Sequence, residues 1–81
     1  MGSLPPYLDI LRVLAKGRRR MTTTEIGREL NISPSTVRYN IMKLERDGYV
    51  ARDGKWYYIT DKGMELLRNV ARELMEVVGN G

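Results

Sequence analysis

From Ser33 to Gly48 the chain carries a full set of helix punctuation. Ser33 can cap the free N–H groups of a first turn, Pro34 follows where a missing N–H costs nothing, and Gly48 suits the left-handed residue that closes a helix. Between them Val37, Ile41, Leu44 and Gly48 recur at spacings of four, three and four, which at about 100° per residue makes one narrow apolar line. The opposite face carries Ser35, Tyr39, Met42, Lys43 and Arg46, with Arg38 on the flank and Thr36 in the first turn. One side is built for burial. The other offers hydroxyls, a phenol and cations, which suit a nucleic-acid groove. Met42 on that outer side fits neither purpose.

The rest of the chain supplies elements to hold this helix. Leu4-Pro5-Pro6 opens a helix expected over 5–16, with an apolar stripe of Tyr7, Leu8, Ile10, Leu11, Val13 and Leu14 and a stop at Gly17. Arg18, Arg19 and Arg20 follow, either as a solvated charge run ending the helix or as phosphate contacts. Thr22 and Glu25 match a capping box for a helix over 23–30, with Met21 and Ile26 at the staple positions. Ile26 and Leu30 point inward, and Gly27 in the helix interior implies close approach by a neighbouring helix. Asn31-Ile32 is a short turn with Ile32 as a core plug, so helices 23–30 and 34–47 form a helix-turn-helix layout.

Residues 49–60 read as a hairpin around Asp53-Gly54-Lys55, with Tyr57 and Ile59 inward. Trp56 and Tyr58 fall on the other face, for packing or for a partner. Thr60-Asp61 caps a last helix over 61–78. Met64, Leu67, Ala71, Leu74 and Val78 form a heptad seam along it, beside a second stripe of Leu66, Val70 and Val77 with Met75 near its edge. This is more apolar surface than one thin domain should need. A homodimer interface through Met64, Leu67, Val70, Ala71, Leu74 and Val78 accounts for the excess; a monomer with a long packed helix is the alternative.

Composition narrows the function classes. There is no cysteine and no histidine, which excludes disulfides, zinc sites of the usual ligand types and histidine-based nucleophile systems. No clustered acid–base pair is visible, so an enzyme is the weakest reading and neither a metal nor a cofactor is expected. No apolar run approaches the ~20 residues that span a bilayer, and no signal-peptide pattern appears. The expectation is one domain over 1–81, cytoplasmic and nucleoid-associated. Net charge is +4, and residues 1–60 hold 11 basic against 6 acidic side chains, which favours a polyanionic partner.

Helix, helix-turn-helix, hairpin, helix: this order resembles the winged helix-turn-helix domain, an α+β, mostly α fold. Residues 22–33 resemble that superfamily's helix-turn segment, 35–50 its recognition helix running into the first wing strand, and 57–63 the end of the wing and the start of the next helix. The pattern is shared by MarR-, PadR- and ArsR-like bacterial and archaeal regulators. The resemblance implies a sequence-specific regulator that binds double-stranded DNA as a homodimer. Ser35, Thr36, Arg38 and Tyr39 would lie near base edges, Lys43 and Arg46 at phosphates, and Arg52 and Lys55 of the wing at the backbone or minor groove. The glycine at position 27, where alanine is usual in the family, is expected to change little. Winged helices also serve as protein–protein modules of replication or transcription machinery, the alternative reading.

Overall fold

The computed structural model describes the backbone of residues 4–80 and the side chains of residues 4–74. The elements run α1 (Pro6–Ala15), a 3-10 turn (Lys16–Arg18), α2 (Thr23–Leu30), α3 (Pro34–Arg46), β1 (Val50–Asp53), β2 (Trp56–Ile59) and α4 (Asp61–Asn80). Helices α1, α2 and α3 pack on one another, and the two-stranded antiparallel sheet closes the base of that cluster. Ile10, Leu11, Leu14, Ile26, Val37, Ile41 and Leu44 are fully buried and form the centre of the core.

Local chemistry sets each boundary. Gly17 stands at φ 73° just after α1, a conformation glycine takes at no steric cost. Thr22 and Glu25 complete the capping box: Glu25 N–H donates to Thr22 Oγ1 (3.2 Å) and Thr22 N–H donates to Glu25 Oε1 (2.9 Å). Asn31 ends α2 in the left-handed region at φ 57°, which Asn tolerates better than most residues. Gly48 does not extend the apolar line of α3. The helix ends at Arg46, and Gly48 is an exposed left-handed residue at φ 85°. The place on the inner face goes instead to Asn40, buried with its side-chain amide donating to the Thr36 carbonyl at 2.8 Å.

Gly27 does more than the family comparison implies. A Cβ there would stand 2.8 Å from the Ile32 carbonyl oxygen and 3.4 Å from Val37 Cγ2. The missing side chain lets the turn backbone, as well as α3, close onto α2. Met21, buried in the same core as Ile26, also has a second role. It lies in a one-residue bridge to β2, its N–H donating to the Tyr57 carbonyl (2.9 Å) and its carbonyl accepting from Tyr57 N–H (2.8 Å). The bridge ties the strand behind the wing to the start of α2.

In the hairpin, Val50 pairs with Ile59 and Arg52 with Tyr57, while Ala51 faces Tyr58 and Asp53 faces Trp56. Tyr57 and Ile59 are buried, as the alternation requires. Met64, Leu66 and Leu67 of α4 rest against the core of their own chain. That uses the first part of the expected seam internally. Val70 is half-buried, Ala71 is exposed and Leu74 is 56% exposed. Val78, with Met75 and Val77, lies outside the described side chains. The helix runs to Asn80, past Gly79, which costs helix stability without forbidding it.

Candidate nucleic-acid interface

The outer face of α3 is built from its cap. Ser33 Oγ accepts from Thr36 N–H at 3.2 Å and lies 2.9 Å from Thr36 Oγ1 and 3.2 Å from Ser35 Oγ. The three hydroxyls form one cluster around the helix start, and Thr36 is half-buried there. Two residues expected at base edges are thus partly committed to the cap. Beyond them Tyr39 is 66% and Met42 60% exposed, and Arg38 and Arg46 are exposed as well. Ser35, Tyr39, Met42 and Arg46 follow one another at four, three and four, a line about 16 Å long at 1.5 Å per residue. It carries no carboxylate. Glu45 on the flank sits beside Arg52, with Nε 3.8 Å from Oε2.

Lys43 is half-buried rather than free on the outer face. Its ammonium lies 4.6 Å from the Tyr39 ring centre and 5.8 Å from that of Tyr7. Among the described residues Arg38 and Arg46 have no ion-pair partner within 4 Å, and neither does Arg28 on the exposed side of α2, which sequence reasoning passed over. Its signal was present: a cation off the apolar stripe of the first helix of the helix-turn-helix.

The arginine run behaves differently. Arg18 pairs with Asp61 (2.9 Å), Arg19 with Glu29 (2.8 Å) and Arg20 with Asp53 (2.7 Å), and Arg20 also lies over the Tyr58 ring at 4.8 Å. Three adjacent residues therefore fasten the loop to α4, α2 and the wing. Each pair uses one guanidinium nitrogen, and a phosphate engaging these arginines would compete with a carboxylate for their charge. On the wing, Arg52 is exposed, with its guanidinium 6.0 Å from the Tyr57 ring across the hairpin, while Lys55 stands at the tip beside the half-exposed Trp56 (5.6 Å).

The far end of α3 is fixed by three side chains. Tyr7 Oη donates to Asp47 Oδ2 (2.7 Å), Lys62 Nζ donates to the Asp47 carbonyl (2.9 Å), and Thr60 Oγ1 donates to the Gly48 carbonyl (2.7 Å) while accepting from Gly63 N–H (3.1 Å). Burial first, then the hydrogen bond to Asp47 and its negative charge, hold the Tyr7 phenol well above its usual pKa. The outward line of α3 is thus held at its start by a serine cap and at its end by α1 and α4.

Comparison with known proteins agrees with this architecture. The chain resembles two riboflavin kinases, one from Pyrococcus furiosus at 32% identity over 91% of this chain and 39% of the relative, and one from Pyrococcus abyssi at 32% over 75% and 31%. It spans less than two fifths of the length of those relatives. Among solved structures, a transcriptional regulator from Thermotoga maritima superposes with a TM-score of 0.75 at 29% identity, over 95% of this chain and 58% of that one. A MarR family protein from Bacillus stearothermophilus superposes with a TM-score of 0.78 at 23% identity, over 99% and 59%. No helix among the described residues is long and apolar enough to cross a membrane. The family model for winged helix-turn-helix DNA-binding matches residues 8–51, more than half of the sequence, and the chain belongs to that family.

Proposed function

We propose that this chain is a sequence-specific transcriptional regulator that binds double-stranded DNA as a homodimer, with α3 in the major groove. The observation that carries the reading is the outward line of α3: Ser35, Tyr39, Met42 and Arg46 flanked by Arg38, free of carboxylates and backed by a fully buried face. A helix of this kind fits the groove, and two of them about 34 Å apart would read a pseudo-palindromic site. Lys43, Arg46 and Lys55 would meet phosphate. The dimer would form through the distal part of α4, where Ala71 and Leu74 are exposed, with Val70 at its border. Such a regulator would act in the cytoplasm at the nucleoid. The kinase name belongs to the two relatives as wholes and is not carried to this chain.

Light scattering on eluting complexes, with random and genomic duplex fragments, tests copy number and binding together. Expected are two chains per duplex and affinity that falls steeply with salt. Replacing Arg38 by Ala should cost about 1–3 kcal/mol and relax the preference at one base pair. Undiminished binding of Arg38→Ala to every duplex would reject the assignment. The rival reading, a protein-interaction module, draws on the exposed Tyr39 and Met42. It is favoured if the chain holds a protein partner and shows no salt-sensitive binding of duplexes.

A further inference from the structure

Met42 occupies the middle of the outward line of α3, one turn beyond Tyr39 and one turn before Arg46, and it is 60% exposed. A large apolar side chain in that place is not explained by folding, because the inner face is already filled by Val37, Asn40, Ile41 and Leu44. Nor is it explained by attraction to phosphate, since a thioether carries no charge and donates no hydrogen bond. Its neighbours define the surface it belongs to. The Tyr39 ring is drawn to one side by the Lys43 ammonium at 4.6 Å, and Arg38 and Arg46 bracket the patch with cations. The patch is therefore a small apolar area inside a positive rim, set on a helix.

The major groove presents one apolar feature that distinguishes base pairs, the C5-methyl group of thymine. We infer that Met42, with the edge of Tyr39, is a specificity-determining contact for a thymine methyl, so that the preferred site has a T at the position facing the centre of α3. This rests on the reading that α3 enters the major groove. Met is suited to the task because its unbranched, polarizable side chain adapts to the methyl without a fixed shape. The rim of Arg38 and Arg46 supplies the attraction that brings the patch to the groove; the methyl supplies selectivity.

The test begins by selecting bound duplexes from a random pool with the full chain. Each thymine of the preferred site is then replaced singly by deoxyuridine, which removes the methyl and keeps every hydrogen-bonding group. For the wild type, one replacement, or a symmetry-related pair, should weaken binding about fourfold per methyl, the worth of one buried methyl group. For Met42→Ala the same replacement should have no further effect, whereas Met42→Leu should retain much of the penalty. Met42 is exposed, so thermal melting should show both variants folded. The inference is overturned if a preferred site emerges and every deoxyuridine is neutral. It is equally overturned if the penalty survives undiminished in Met42→Ala. A folded chain that binds no duplex at all defeats the major-groove reading itself, and this inference with it.

Discussion

Gly63 lies in the first turn of α4, buried, with no special backbone angle to justify it. Its reason is space. A Cβ added there would overlap the Tyr49 carbonyl and stand 2.7 Å from Ile59 Cγ1. The first obstacle is backbone, and it is anchored: the Tyr49 carbonyl accepts Thr60 N–H at 3.0 Å, and Tyr49 N–H donates to the Leu44 carbonyl at 3.0 Å. Gly63→Ala must therefore push the start of α4 away from the hairpin. Overpacking a tight site costs roughly 1–3 kcal/mol, and an immobile obstacle argues for the upper end. Alanine returns about 0.8–1 kcal/mol of helix propensity. The net is a loss of about 2 kcal/mol, which for a domain of this size lowers Tm by roughly 8–16 °C. Circular dichroism melts of wild type, Gly63→Ala and Asn69→Ala, an exposed α4 position, measure it. The Asn69 variant should melt at or slightly above the wild type. If Gly63→Ala did the same, only propensity would be acting, and the close approach of α4 to Tyr49 would be refuted.

Other perturbations probe the remaining joints. Gly27→Ala, with its Cβ 2.8 Å from the Ile32 carbonyl, should lose about 1 kcal/mol net in urea unfolding, since the turn must give. Ser33→Ala removes the cap of α3 and should cost about 1 kcal/mol by the same measure. The Tyr7 phenol is held above its usual value of 10.0, so the folded state keeps a proton that the unfolded chain gives up first. Its contribution is complete below about pH 10 and is lost as pH climbs toward the folded-state value. Urea midpoints of wild type and Tyr7→Phe should converge above about pH 10; curves that stay parallel would deny the Tyr7–Asp47 link. Duplex affinity against salt should show a log–log slope near −2.7 per chain if Lys43, Arg46 and Lys55 alone meet phosphate, and about −5.4 if Arg18, Arg19 and Arg20 join them.

Much of the fold was legible because it is written in short-range signals. The capping box at Thr22 and Glu25, the Ser33 cap and the alternation that buries Tyr57 and Ile59 all act within four residues. What the sequence hid is longer in range. Met21 forms an isolated one-residue bridge to Tyr57, too short to leave a strand pattern. Asn40 is a different case, local but polar: it can be buried because its amide finds a carbonyl one turn back, which residue type alone does not announce. Met64 and Leu67 belong to a regular seam, and nothing in a heptad says which of its turns the chain uses for its own core.

The arginine run shows how pairing redistributes a charge that composition only totals. Each exposed ion pair of this kind is worth no more than about 1 kcal/mol, so none of the three holds the fold alone. Together they join the loop to three elements at once: Arg18 to the first residue of α4, Arg19 to α2 and Arg20 to the wing strand. The excess positive charge that remains without an ion pair on the helix-turn-helix then falls on Arg28, Arg38, Lys43 and Arg46 among the described residues. Three of these four are on α3. A polyanion approaching the helix-turn-helix meets uncompensated charge on the helix that also carries the exposed phenol and thioether, and the attraction and the side chains able to discriminate act on the same surface.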